Sequence, residues 1–326
     1  MTSQHPGPAA QSGLVLSSAL LTLEAEPRGA QLLQIRRKTD GRSLLWPGGK
    51  APWQERSPLL FPFTGRLAGG TYRWQGQAYP MPLHGFAKDL DFDLLPSPPD
   101  QLCFQLTDSA ATRSSYPFAF TLRVSYQLAG GSLLTRIEVS NPQAQGALIF
   151  ALGAHPGFML PPGSTLEQWQ LYLPQASASQ TEQMLISADG LWSGRKPSQV
   201  LPARPGLPGS VIPLTESLFD VDGIFLSGQG QRVLLEPRDT SVFSSTSALP
   251  QPWLTLDFEG FRYLGIWQPA RSHAPFLCLE PWSAMCGRNE TQEELSRMPD
   301  RCRLEPGQKA IFSWRASWQE AWLKLT

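Results

Sequence analysis

Phe118-Ala-Phe-Thr-Leu-Arg-Val-Ser-Tyr-Gln-Leu128 and Leu133-Leu-Thr-Arg-Ile-Glu-Val-Ser-Asn141 flank the glycine pair Gly130-Gly131, and both runs alternate apolar with polar residues. Successive side chains of a strand point to opposite faces, so each run offers one apolar and one polar side. A two-residue type I′ turn at Gly130-Gly131 sets how they pair. Leu128 then faces Leu133, Val124 faces Ile137 and Leu122 faces Val139, apolar against apolar. Arg123 and Glu138 fall diagonally near each other on the outer face, as suits an antiparallel sheet with one solvated side. This hairpin reads as part of an all-β fold.

The composition agrees. The chain has 326 residues, with 11 Trp, 31 Pro and 28 Gly, a mixture that favours many short strands joined by turns. One large sandwich or barrel can absorb that length. Residues 1–12 are polar and read as a loosely ordered tail, and 13–326 as a single β-sandwich domain. Lys plus Arg equals Asp plus Glu at 27 each, so no excess positive charge points to nucleic acid or to an anionic membrane. No run of roughly 18 apolar residues suggests a membrane span, and Met1 to Ser12 lack the features of a signal peptide. The expected location is the cytoplasm. Cys103, Cys278, Cys286 and Cys302 form no CxxC pair, so reduced thiols are expected.

Further strands are expected at Leu14–Leu16, Ala19–Glu24, Gln31–Arg36, Ala147–Leu152, Arg232–Glu236, Trp253–Phe258 and Arg262–Trp267, with a turn and long strand closing the chain from Arg303. Pro174 to Pro213 is rich in Ser, Gln, Gly and Pro and reads as a long excursion from the sheet, a lid or an oligomer contact. Asn289 to Met298 is the only convincing helix, with Thr291 and Glu294 at capping-box spacing.

Against this background Pro275-Phe-Leu-Cys-Leu-Glu-Pro-Trp282 carries a carboxylate where an apolar side chain belongs. Phe276, Cys278 and Glu280 share one face and Leu277 and Leu279 the other. A buried carboxylate either finds donors or stays protonated with a raised pKa, and near the working pH it makes a general base. The plainer alternative is that Glu280 ends its strand and points into water ahead of Pro281. His155 ends another apolar strand and is held extended by Pro156. His84 precedes Gly85, where backbone can approach a ligand closely. Arg66 sits between turn residues. Each histidine alone could equally be a turn or cap residue.

Leu83-His-Gly-Phe-Ala-Lys-Asp89, Gly153-Ala-His-Pro-Gly-Phe158 and Cys278-Leu-Glu-Pro-Trp282, in this order, resemble the aldose 1-epimerase (galactose mutarotase-like) family, above all its LacX-like branch. Phe61-Pro-Phe-Thr-Gly-Arg-Leu-Ala-Gly-Gly-Thr-Tyr72 resembles the segment ahead of that branch's first histidine. Four motifs in order are specific where one alone is weak.

The resemblance implies a large antiparallel β-sandwich, the galactose mutarotase-like supersandwich, with one or two short helices and a cleft for a small aldose. By motif, Glu280 matches the family's general base, His155 its general acid, His84 a residue that orients the ring and Arg66 a contact to sugar hydroxyls. Asp222 matches an acidic residue more loosely, and Phe158 and Trp282 would offer apolar surface to a sugar face. The implied reaction interconverts α and β anomers without cofactor or metal, starting from ionised Glu280 and protonated His155, in a monomer or homodimer. Two departures stand out: Lys88 where Arg is common, and Ser283-Ala-Met-Cys-Gly287 after Glu-Pro-Trp. Lys88 keeps a hexose 6-phosphate open as substrate. Other readings are a non-catalytic sugar-binding or sugar-sensing protein, a metalloenzyme using two histidines and a carboxylate, and a glycoside hydrolase, which needs two carboxylates.

Overall fold

Alternation makes the central hairpin. Thr121–Ala129 pairs with Ser132–Ser140, and Leu128–Leu133, Val124–Ile137 and Leu122–Val139 are opposed in the register read from the sequence. Two details differ. Only Gly130 takes a positive φ, 56°, the pattern of a II′ turn rather than I′. In that same register Arg123 stands directly opposite Glu138, not diagonal to it. They bond elsewhere: Arg123 donates to Gln105 at 2.7 Å, while Glu138 pairs with Arg136 at 3.3 Å and Lys309 at 3.5 Å.

The computed structural model describes residues 13–177, 179–203, 206–239, 252–289 and 292–324, so the expected tail at 1–12 lies outside the described residues. The hairpin supplies the seventh and eighth strands of a ten-stranded sheet. In spatial order its strands are Leu201–Pro202, Ser210–Pro213, Trp169–Leu173, Arg232–Pro237, Leu254–Glu259, Lys309–Trp318, Ser132–Ser140, Thr121–Ala129, Gln101–Thr107 and Asp93–Leu95. A second, eight-stranded sheet runs Trp192–Pro197, Glu182–Ile186, Ile224–Ser227, Tyr263–Trp267, Phe276–Trp282, Gly153–Ala154 and Leu59–Leu60, with Gly157–Met159 also pairing to Phe276–Trp282. Every pairing between these strands is antiparallel. Leu14–Ser17, Leu21–Ala25 and Leu32–Arg37 add a three-stranded sheet near the start.

The two large sheets meet through their apolar faces. Leu277 and Leu279 of one share a core with Phe258, Phe312 and Trp314 of the other. Phe158 belongs here. Its ring packs against Trp314 at 6.4 Å and Trp318 at 6.1 Å, fully buried between the sheets. The expected sugar-facing role is corrected by that position, because alternation along Gly157–Met159 turns Phe158 inward.

Pro174 to Pro213 is also corrected. It supplies Glu182–Ile186 and Trp192–Pro197 at one edge of the eight-stranded sheet and Leu201–Pro202 and Ser210–Pro213 at one edge of the other. The outermost of these, Trp192–Pro197 and Leu201–Pro202, are largely wetted and need little apolar pattern, which hid them in the sequence. The α-helices are short: Ala110–Ser115, opened by a capping box between Ser109 and Thr112, and Glu320–Lys324. Where a helix was expected at Asn289–Met298, the described residues hold only a 3-10 turn, Leu295–Arg297, with Glu294 extended before it; Thr291 lies outside the described residues. No helix among the described residues is long and apolar enough to cross a membrane.

Candidate active site

Glu280 lies on the outer face of the eight-stranded sheet. All seven residues of Phe276–Trp282 are buried. Leu277 and Leu279 turn into the inter-sheet core, whereas Phe276 and Cys278 join a separate cluster with Trp46, and Trp282 joins one with Phe225 and Met285. Glu280 therefore does not end its strand in water; it is 1% exposed. Opposite it in the register is Gly265, where a Cβ would stand 3.0 Å from Glu280 Cβ and 2.7 Å from the Phe225 ring. A missing side chain makes room for the carboxyl group.

His155 is delivered by the turn after Gly153–Ala154, its N–H donating to the Pro58 carbonyl at 3.2 Å. Its Nε2 lies 3.3 Å from Glu280 Oε1. The contact is not aligned as a hydrogen bond, and both Glu280 oxygens and His155 Nδ1 are buried without partners. Trp53 stacks on the imidazole at 4.9 Å and Trp267 meets it edge-on at 5.4 Å.

His84 comes from a different segment. Its φ is +66°, unusual for a residue with a Cβ, and its ring meets His155 at 5.6 Å and Trp282 at 5.9 Å. The Gly65 N–H donates to His84 Nδ1 at 3.1 Å, so the ring proton sits on Nε2. Gly85 serves a close approach, as expected, but to backbone rather than to a ligand: a Cβ there would lie 2.2 Å from the Phe61 carbonyl oxygen.

These groups line one cleft of about 290 Å³ with Arg66, Asp222, Trp282, Glu55, Trp53 and Trp267. That is the lower end of ligand clefts, typically ~300–1,000 Å³, and matches a ligand of about one ring. Asp222 accepts from the Gly223 N–H at 2.7 Å and lies near Arg66, both approaching Gly190. Among the described residues the Arg66 side chain has no hydrogen-bond or ion-pair partner. Lys88 does not line the cleft. It is held by Glu55 and Asp89, each at 3.1 Å, and Glu55 in turn lines the cleft.

Burial dominates the electrostatics. It pushes the Glu280 carboxyl well up, with the charge of Asp222 adding and the Trp282 side chain opposing. Burial pushes His155 well down, His84 reinforcing it. His84 is pushed down to about 3 by burial and then by Lys88 and Arg66. Asp222 is raised by burial against Gly223 and Arg66. Burial thus disfavours the charged form of each group, and so the expected ion pair of Glu280 and His155 relative to its neutral form. The two forms hold equally many protons and differ only in where one sits.

Of the residues nominated from the sequence, Glu280, His155, His84, Arg66, Asp222 and Trp282 converge, while Phe158 and Lys88 lie elsewhere. Trp53, Trp267, Phe225, Glu55, Ile186 and Gly190 also line the cleft and were missed. Trp267 was recoverable, since pairing Arg262–Trp267 with the Glu280 strand sets it opposite Cys278. Trp53 and Glu55, in an irregular segment, carried no periodic signal.

Fold and cleft define a supersandwich of the galactose mutarotase-like kind with a His/Glu pair buried on one sheet. The chain belongs to the aldose 1-epimerase family, whose model matches residues 14–295. It is 28% identical over 298 residues to the chromosomally encoded protein LacX of Lactococcus lactis subsp. lactis, covering 89% of this chain and 94% of that protein. Among solved structures it resembles a galactose mutarotase-like protein from Lactobacillus casei, with 26% identity, a TM-score of 0.80 and coverage of 94% and 100% of the two chains. A galactose mutarotase related enzyme from Lactobacillus acidophilus shares the fold at a TM-score of 0.79 with 23% identity, covering 94% and 97%.

Proposed function

We propose that residues 13–326 act as one unit, an aldose 1-epimerase interconverting the α and β anomers of a free aldohexose. Glu280 takes the proton of the C1 hydroxyl while His155 gives one to the ring oxygen. The ring opens, C1–C2 rotates, and closure on the other carbonyl face reverses both transfers. A sugar hydroxyl beside Glu280 supplies the donor its oxygens lack and so favours the ion-pair form over the neutral one. Neutral His84, donating from Nε2, orients the ring. Arg66 and Asp222 hold hydroxyls, and Trp282 packs against the sugar.

The observation that carries this reading is the misaligned 3.3 Å contact between His155 Nε2 and Glu280 Oε1, two residues that line the same cleft. Charge favours a free sugar. Arg66 is the only lining Lys or Arg among the described residues, against Glu55 and Asp222, while the His155–Glu280 pair with its one proton adds no net charge, so a phosphate dianion would meet more negative than positive groups. Polarimetry of freshly dissolved α-glucose and α-galactose tests the proposal: mutarotation faster than buffer supports it, and the buffer rate for every aldose tried points instead to a binding or sensing protein. Because two further carboxylates line the cleft, a synthetic glycoside is the companion assay, and release of its aglycone would indicate hydrolysis.

A further inference from the structure

Cys278 has no part in the chemistry above, yet it shares Glu280's face of the sheet. One ligand atom from each of Cys278, His155 and Glu280 lies within 4.8 Å of the others, and all three residues are buried. His84, part of the two-histidine set considered from the sequence, is not a member. Thiolate, imidazole and carboxylate are the donors zinc takes in sites with three protein ligands and an open fourth position. The spacing fits too. Zinc bonds of about 2.0–2.1 Å to nitrogen and oxygen give a tetrahedral edge of about 3.3–3.4 Å, and His155 Nε2 stands 3.3 Å from Glu280 Oε1 without hydrogen-bond alignment. Both oxygens of the 1%-exposed Glu280 side chain lack partners, so a cation between the groups would satisfy an unpaired buried carboxyl group.

We propose that His155, Cys278 and Glu280 form an inhibitory site for a soft divalent cation of the Zn²⁺ class, bound in place of the sugar. Its inhibitory part rests on the acid/base reading above; the binding part does not. A thiolate ligand selects Zn²⁺ or Co²⁺ over the hard cations Mg²⁺ and Ca²⁺. On binding, the Cys278 thiol and the His155–Glu280 pair each give up a proton to solvent. The cation then occupies both groups that would move protons on the sugar.

The test uses the full, reduced chain with Co²⁺ as spectroscopic probe and Zn²⁺ by calorimetry. One equivalent of Co²⁺ should give a near-ultraviolet thiolate-to-cobalt absorption band, which glucose or galactose weakens by competition. Cys278→Ser should abolish the band and weaken Zn²⁺ binding at least about 100-fold, beyond the 10–100-fold typical of losing an outer-shell partner. Cys278→Ala serves the same purpose if the serine variant fails to fold. The ratio of mutarotation rates with and without Zn²⁺ should fall in the parent and stay near one in the variant, each chain being its own control. A band that survives Cys278→Ser but disappears with Cys286→Ser, or Mg²⁺ binding as tight as Zn²⁺, would overturn the site. An inactive chain that still shows the Cys278-dependent band loses only the proposed epimerase activity. An active chain without the band loses only the metal site.

Discussion

Gly65 and His84 bond each other twice: the Gly65 N–H donates to His84 Nδ1 at 3.1 Å, and the His84 N–H donates to the Gly65 carbonyl at 3.0 Å. The pair fixes the ring's tautomer and supports a left-handed backbone at both residues, with φ of +66° at each. Asparagine tolerates that conformation and offers both an acceptor for Gly65 and a donor for the cleft. His84→Asn should therefore keep activity within about tenfold, whereas His84→Ala should lose about 1–2 kcal/mol of stability through the backbone strain and the missing hydrogen bond and raise KM. Steady-state kinetics and thermal melts of the two variants separate these outcomes.

His84 also gives stability a pH dependence. Its folded pKa is depressed from 6.5 to about 3. The contribution is fully present above pH 6.5 and is lost as pH falls toward the folded value, because the unfolded chain takes the proton first. One such group gives a slope of up to about 1.4 kcal/mol per pH unit in that window. Urea midpoints between pH 7 and pH 4.5 should fall less steeply in His84→Asn than in the parent chain.

Gly265 makes the space for Glu280. Gly265→Ala puts a Cβ 2.7 Å from the Phe225 ring and 3.0 Å from Glu280 Cβ. Overpacking of this kind costs about 1–3 kcal/mol. The variant should melt lower and lose activity even at temperatures where it is folded, as followed by circular dichroism and polarimetry together.

Trp53 sets the environment of His155. It stacks on the imidazole at 4.9 Å, covering one face of a ring that is itself buried. Trp53→Ala should let water reach the ring and move the acid limb of the pH–rate profile up toward the ordinary histidine value of 6.5, whereas Trp53→Phe should leave it below that value. An unmoved acid limb in Trp53→Ala would mean that Trp53 does not shield the imidazole.

The sheet order could not be read from the sequence, but its parts could. Alternation from Thr121 to Ser140 specified a hairpin because one face is core and the other solvent, and the buried anomaly at Glu280 stood out because its neighbours are apolar on both faces. Trp192–Pro197 was missed because an edge strand with mixed exposure loses that contrast, and Glu182–Ile186, second from that edge, has only one fully buried residue. Phe158 was misplaced because a motif gives the residue but not the direction of its side chain, which the register against Phe276–Trp282 sets. Glu55 and Trp53 reach the cleft through tertiary contacts alone, and Lys88 is withdrawn from it by pairing with Glu55.

The most direct measurement is anomer exchange followed by polarimetry at neutral pH, comparing the parent chain with Glu280→Gln on the aldose it turns over fastest. Glutamine keeps the shape and burial of the side chain but cannot take the C1 proton. The expected result is a fall in kcat of about 10²–10⁴-fold, the worth of one positioned proton transfer, with the fold intact by circular dichroism. An unchanged rate in a folded Glu280→Gln protein would contradict it.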